Sequence, residues 1–314
     1  MITARFYCPV WPVSPRAELL FSFIMTSSWR GVTPCQTLLL CRERIVSYFS
    51  GMRALITGAG TGIGALMARE LAQRGADVLV SARRLEAANA IVDEIRAAGG
   101  KASAVVLDVA SNDSILAARE EILRGGESLD LLINNAGVVF GGAFEQVPLE
   151  QHLNTFQINT LGVMACCHAF FDMLCLSPRA HVINIASASA FIGLPFGTSY
   201  AASKWAVVGF SESLRLELKE RGIDNVAVTT VCPTYISTGM FDGARAPLLT
   251  PMLTPEKVVR ETLRAAQHRD PMLYLPLSVK SADLLKGLLP RPLFDEVAKR
   301  TGVSGSMKHW HGKS

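Results

Sequence analysis

The sequence predicts an α/β protein, a single doubly wound domain built on a parallel sheet. Three observations carry that expectation. From Met52 onward, short apolar runs alternate with longer stretches of helical periodicity. The runs are continuous in Val, Ile and Leu rather than alternating with polar residues, as strands covered by helices on both faces must be. A glycine-rich turn also joins the first run to the first helical stretch. Composition agrees: 49% hydrophobic and 18% charged residues in a chain of 314 suffice for a sizeable core and exclude global disorder.

In order, RALIT is the first strand, followed by a helix over Gly62 to Arg74. ADVLVSA precedes a helix over Leu85 to Ala98, and ASAVVLDV one over Asn112 to Leu123. LDLLINNAG gives way to a long helix beginning near Leu149, HVINIAS to the helix that holds Tyr200, and NVAVTTVCP to further helices. No internal repeat is visible and no Pro/Gly linker interrupts residues 52–275, so that span reads as one domain. It is flanked by a leader over 1–51 and an apolar C-terminal extension over 276–314.

Seven cysteines, an odd number without a CxxC pair, offer neither a disulfide framework nor a metal-ligand pattern; they point to reduced thiols in the cytoplasm. Net charge is +4, from 31 basic and 27 acidic residues. The first 51 residues hold five Arg against two Glu, +3 of that total, so the nearly neutral remainder offers nucleic acid no basic face. The same segment contains Pro9, Pro12, Pro15 and Pro34, two of the four Trp and three of the seven Cys. Its apolar runs LLFSFIM and TLLLC are too short to cross a bilayer, and Arg5 with Leu19 to Met25 makes a poor signal peptide. The expectation is a poorly ordered leader, or an extension from a start placed too far upstream, because Met52 stands directly before the first strand. A membrane-surface anchor is the alternative.

TGAGTGIG, Thr57 to Gly64, falls where a doubly wound domain binds phosphate. Gly58, Gly62 and Gly64 would let the backbone approach a pyrophosphate held at the helix N-terminus, with Thr61 and Ile63 in the same loop. The spacing is GxxxGxG rather than GxGxxG, and its place between strand and helix is what makes it informative. Further on, TSYAASKWAVVGF sets Tyr200 and Lys204 four residues apart, on one face of a helix. An ammonium beside a phenol favours phenolate and lowers a pKa ordinarily about 10, which makes a usable proton donor and acceptor. Taken alone, the pair equally describes a core helix with a snorkelling lysine.

Together these segments resemble the short-chain dehydrogenases/reductases. The family signature of TGxxxGxG, Asn-Asn-Ala-Gly, Ser, Tyr and Lys occurs here in order at Thr57–Gly64, Asn134–Gly137, Ser187, Tyr200 and Lys204. Ser187 lies 13 residues before Tyr200, and Asn159 lies 28 before Ser187, as the family's catalytic Ser and Asn do. The resemblance covers about residues 52–275 and implies a Rossmann-like fold, a nicotinamide cofactor and interconversion of an alcohol and a carbonyl. It implies Tyr200 as general acid/base, Lys204 holding the Tyr pKa down and binding the nicotinamide ribose, Ser187 binding the substrate oxygen, and Asn159 as a structural and proton-relay member. Read without it, Ser187 is a cap or turn residue, Asn159 a core polar group in an unfavourable helix position, and Asp108 a helix cap. By resemblance Asp108, with Val109 beside it, contacts the adenine, and Asn135, Ala136 and Gly137 wall the adenine ribose. Pro233, Ile236 and Thr238 stand beside the nicotinamide, the last two at positions that contact its carboxamide and the phosphate. The family usually has Pro-Gly where this chain has Pro233-Thr234.

Cofactor choice is read from VLVSARRLE. Where an NAD-preferring site commonly places a carboxylate for the ribose 2′-hydroxyl, this chain has Ala82, followed by Arg83 and Arg84. A guanidinium can meet a 2′-phosphate bidentately, so NADP(H) is expected and NAD(H) is the second choice. A solvated helix start is the other reading of the two arginines. The segments ISTGMFDG, PLLTPMLTPEKVV and MLYLPLSVKSADLLKGLLP are similar to those of the retinol dehydrogenase and 17-beta-hydroxysteroid dehydrogenase branch. That implies a lipophilic substrate (retinoid, steroid or long-chain alcohol) and peripheral membrane contact, although the tail's leucines equally suit a sheet edge or an oligomer interface. The long helices near Leu149 to Leu176 and Ser199 to Arg221 resemble those that pair subunits in the family, implying a homodimer or homotetramer. The alternatives are a ketoacyl-thioester reductase and a noncatalytic nicotinamide-binding regulator; the intact Ser187, Tyr200 and Lys204 count against the second.

Overall fold

The computed structural model describes residues 48–248 and 250–310. Of the leader expected over 1–51, only Tyr48 to Gly51 are among them, and these four belong to the same compact unit as the dehydrogenase-like span that follows. Seven strands form one sheet: β1 (Arg53–Ile56), β2 (Asp77–Ala82), β3 (Lys101–Val106), β4 (Leu131–Asn134), β5 (Ala180–Ile185), β6 (Val226–Pro233) and β7 (Met272–Leu275). All neighbours are parallel, in the order β3-β2-β1-β4-β5-β6-β7. Ala54 of β1 lies opposite Val78 on one side and Leu131 on the other. The chain winds outward from β1 to β3, then returns to place β4 against β1. That reversal opens a crevice above the C-terminal ends of the two strands, the place where such sheets bind ligands.

Between the strands run α1 (Gly62–Gln73), α2 (Leu85–Ala97), α3 (Asn112–Arg124), α4 (Leu149–Phe156), α5 (Gly162–Ala169), α6 (Phe171–Leu176), α7 (Thr198–Glu220) and α8 (Pro255–His268). Leu55, Leu132 and Val182 belong to a buried layer that includes Phe170 and Val207, while Ile56, Ile133 and Ile183 belong to another that includes Met67, Leu71 and Leu263. This two-sided burial is why the strands carry apolar residues at successive positions.

Two departures from the sequence expectation bear on the site. The single long helix expected over Leu149 to Leu176 is instead α4, a π-helical turn at Gln157–Leu161, α5 and α6. The π turn carries Asn159, and Gly162 after it lies so close to Val109 that an added Cβ would come within 2.8 Å of the Val109 carbonyl oxygen. The packed core also begins before Met52. Phe49 is 1% exposed, the Arg74 guanidinium lies 5.8 Å from its ring centre, and the Tyr48 hydroxyl donates to the Ala266 carbonyl at 3.2 Å.

Beyond β7 the chain forms α9 (Ser278–Leu288) and α10 (Arg291–Arg300), then a short 3-10 turn at Val303–Gly305. Leu277, Leu284, Leu288 and Leu293 are exposed there. The tail does not stay apart from the domain: Leu248 N donates to the Thr301 carbonyl at 3.1 Å and Arg245 N to the Ser306 carbonyl at 2.8 Å. Among the described residues, no helix is long and apolar enough to cross a membrane.

Candidate active site

A cavity of about 570 Å³ opens at the sheet reversal. Gly58, Thr61, Gly62, Ile63 and Arg83 line one end of it, followed by Asp108, Val109, Asn135, Ala136 and Gly137. Tyr200, Lys204, Pro233, Ile236 and Thr238 line it as well. The sequence-predicted cofactor residues are thus brought to one space, with one exception. Gly64 faces away, packed on Asn135 and on the Gly58 carbonyl, which an added Cβ would approach to 2.8 Å. Its small size lets α1 sit tight against the loop after β4.

The glycine loop is built by backbone geometry. Gly58 and Gly62 have φ of 64° and 61°, where a side chain is strained, and a Cβ on Gly58 would lie 2.9 Å from Ala136 Cα. Asn135 locks this loop. Its Nδ2 donates to the Thr57 carbonyl at 2.9 Å and the Gly58 carbonyl at 3.2 Å, while Asn135 N and Ala136 N both donate to Thr57 Oγ1 at 3.0 Å. The Asn135 amide is therefore spent on positioning the loop, and what it turns to the cavity is a wall. Asp108 is not the cap of α3. Ser111 is, accepting from Ser114 N at 3.2 Å, while Asp108 Oδ1 accepts from Ala110 N at 3.0 Å and stays on the cavity wall.

At the other end, Tyr200 and Lys204 are buried one turn apart on α7, with Asn159 and Ser187 buried nearby but not lining the cavity. Asn159 joins three elements. Its Oδ1 accepts from Val138 N at 2.8 Å, and its Nδ2 donates to the Val138 carbonyl at 2.9 Å and to Ser203 Oγ at 3.1 Å. A π turn suits this role, because widening the helix lets a side chain in mid-helix reach a loop. Ser187 ends β5's extension; its hydroxyl donates weakly to the Pro233 carbonyl at 3.5 Å and bonds the Tyr200 phenol.

Burial pushes the Tyr200 pKa up to about 12, and the Ser187 hydrogen bond opposes that rise only in part. Burial, rather than the Lys204 charge, is the largest influence on the phenol in this structure. The Lys204 ammonium is 5.9 Å from the phenol ring centre, donates to the Ile185 carbonyl at 2.7 Å, and has its own pKa pushed down by burial to about 8. With a pKa of about 8 it is still mostly protonated at neutral pH, one turn from the phenol.

Sequence reasoning missed the apolar wall: Phe140, Met240, Phe241 and Trp310 line the cavity too. Phe241 stands edge-on to Tyr200 with ring centres 5.8 Å apart. Trp310 could not have been placed by motif, because nothing local ties residue 310 to this site. Arg84 also lines the cavity beside Arg83; both are exposed, and neither makes an ion pair among the described residues.

The residues present fit a dinucleotide. Side-chain capping is absent at Thr61, so the first N–H groups of α1 stay free, with no acidic residue in the first turn. The Thr234 hydroxyl is buried on the cavity wall without a partner among the described residues, as a polar atom awaiting a ligand would be.

Comparison with known proteins agrees. Residues 52–248 match the family model described as short chain dehydrogenase, and the chain belongs to that family. Short-chain dehydrogenase/reductase 3 of Homo sapiens is 33% identical, over 83% of this chain and 86% of that protein. Epidermal retinol dehydrogenase 2 of Mus musculus is 31% identical over 77% and 79%. Among solved structures, a metagenomic short-chain oxidoreductase in complex with NADP is 32% identical, with a TM-score of 0.59 over 69% of this chain and 91% of that one. A short-chain dehydrogenase/reductase of Burkholderia phymatum in complex with NAD is 25% identical, with a TM-score of 0.70 over 82% and 97%. The chain is an oxidoreductase of the NAD(P)-using kind that acts on alcohol and carbonyl groups.

Proposed function

We propose that the protein interconverts a lipophilic alcohol and its carbonyl with NADP(H), Tyr200 passing the proton. The observation that carries this reading is the cavity itself, which joins the glycine loop and two unpaired arginines at one end to a buried phenol and an aromatic wall at the other. The nicotinamide supplies or takes the hydride when bound. The protein's part is to hold the carbonyl carbon near it and move one proton at the phenol oxygen. With its pKa raised to about 12, Tyr200 is protonated at neutral pH and stands ready as the acid for reduction. Ser187 would bind and polarise the substrate oxygen. Lys204 would bind the ribose, and Asn159 would keep the loop after β4 and α7 in register. The names of the retinol-dehydrogenase relatives and the apolar wall support a retinoid, steroid or long-chain substrate.

The test is a panel of retinal, estrone, a long-chain aldehyde and an acyl thioester with NADPH and NADH, run on the wild type and Tyr200→Phe. Phe keeps the ring packing and removes only the oxygen, so turnover should fall by about 10²–10⁴-fold with cofactor binding retained. A Phe variant near wild-type turnover would overturn the mechanism, and activity confined to the thioester would favour the ketoacyl-reductase alternative.

A further inference from the structure

We infer that the C-terminal segment closes the substrate end of the cavity and that Trp310 sets how large and how apolar a carbonyl compound the enzyme accepts. The inference rests on the proposed role of Tyr200, because that residue marks which end of the cavity takes the substrate. Tyr200 is buried in a small apolar cluster with Val139, Leu194, Tyr235 and Phe241, and this cluster also contains Met307, with Phe196 and Trp310 packed on it. Met307 and Trp310 lie well outside the span of 52–248 that matches the family. They reach Tyr200 because the tail folds back, fixed where the Tyr235 hydroxyl donates to Ser306 Oγ at 2.7 Å and Arg245 N donates to the Ser306 carbonyl.

The orientation of Trp310 is set as well. Its indole Nε1–H donates to the Met240 carbonyl at 3.0 Å, which turns the ring so that it lines the cavity beside Met240 and Phe241. A second, independent sign is Gly141. Its φ is not left-handed, so its backbone does not call for glycine; instead an added Cβ would lie 2.7 Å from Trp310 Cε3 and 3.0 Å from Cδ2. The absent side chain at 141 makes the seat for the indole. A flat aromatic wall beside Phe241 suits an extended apolar body whose only polar atom is the oxygen presented to Tyr200. A small polar carbonyl would leave that wall unfilled.

The experiment compares kcat/KM for retinal and for propanal, with NADPH, in the wild type, Trp310→Ala, Gly141→Ala and Trp310→Phe, alongside NADPH affinity measured without a carbonyl. Trp310→Ala and Gly141→Ala should each lower the retinal-to-propanal ratio by roughly tenfold, mainly through KM for retinal, since losing or displacing several apolar contacts is worth about that much. Trp310→Phe should recover part of it, and NADPH affinity should stay within about twofold of the wild type. An unchanged ratio in both variants overturns the inference, as does NADPH affinity that weakens in step. Retinal binding to NADP-loaded Tyr200→Phe, with and without Trp310→Ala, separates this inference from the one beneath it. A loss of roughly tenfold there supports the wall whatever Tyr200 does in turnover, and equal or absent binding in both refutes it.

Discussion

At the glycine-loop end of the cavity the walls are backbone and charge, Gly58 and Gly62 beside Arg83 and Asp108, whereas at the Tyr200 end they are aromatic side chains, Phe241 and Trp310 among them. The first end is assembled from three neighbouring strands and their loops, and its small residues recur at fixed spacing. The second draws on the loop after β4, the loop after β6 and the tail, which lie far apart in sequence. Under the proposed function, the contrast follows from what each end would grip. A pyrophosphate needs N–H groups at close approach and little else, which fixes backbone geometry and hence glycines. An apolar body needs area, which many combinations of side chains can supply.

The largest expected effect falls on the support of the cofactor end. Phe49 packs in the layer that also contains Ile56 of β1 and Met67 and Leu71 of α1. A chain starting at Met52 should therefore be about 3–5 kcal/mol less stable than one starting at Ser47, the cost typical of losing a buried Phe. Urea unfolding of the two forms checks this. Equal midpoints and slopes would mean that Phe49 contributes nothing and that the folded domain begins at Met52.

Next comes Gly64→Ala. The added methyl would press on the Gly58 carbonyl and on Asn135, whose amide holds the loop, so cofactor affinity should drop by about 10- to 100-fold, the strain being worth roughly 1–3 kcal/mol. Trp310 and Tyr200 are untouched, so retinal binding to whatever cofactor complex forms should change little. A variant that binds NADPH normally would show that the loop tolerates the methyl, and that the two ends are less distinct than their chemistry indicates.

Legibility in the sequence followed the same divide. The strands, the sheet's parallel character and the glycine loop were readable because burial on both faces and close phosphate approach each constrain residue type locally. Tyr200 and Lys204 were readable as a pair from helix periodicity. What the pair does electrostatically was not: the dominant influence on the phenol is burial, and no sequence spacing reports how deep a side chain lies. The π turn at Asn159 escaped for a related reason, since it answers the hydrogen-bonding demand of Val138, twenty-one residues earlier. Trp310 and Met307 escaped because apolar residues in a tail look the same whether they cover a sheet edge or a substrate.

The pH dependence tests the Tyr200 end alone. With Tyr200 passing the proton as proposed, alcohol oxidation would need the phenolate, whose share grows about tenfold per pH unit below a pKa near 12, and carbonyl reduction would need the phenol, abundant throughout that range. Oxidation kcat/KM should therefore climb steadily between about pH 6 and 9 while reduction does not climb. An oxidation plateau below about pH 8 would restore the depressed phenol pKa that the Tyr-Lys spacing suggests by itself.

The smallest expected effect is on cofactor choice, and it bears on the charged end only. Ala82 ends β2 where a carboxylate would otherwise meet a ribose 2′-hydroxyl, and Arg83 and Arg84 follow it on the cavity wall, exposed and without an ion pair among the described residues. Two terms then favour a 2′-phosphate: no fixed negative charge repels it, and a guanidinium not already engaged can pair with it. Because the arginines are exposed, solvent screens the attraction, so each term is worth about 1 kcal/mol or less, and the preference should weaken as salt rises. The wild type should favour NADPH over NADH in kcat/KM, and Ala82→Asp/Arg83→Ala should shift that preference by roughly tenfold towards NADH. The retinal-to-propanal ratio should stay where it was, because no residue of the aromatic wall has moved. A wild type that prefers NADH would refute the assignment of Arg83. A double variant that changes carbonyl preference along with cofactor preference would instead show that the two ends act as one site.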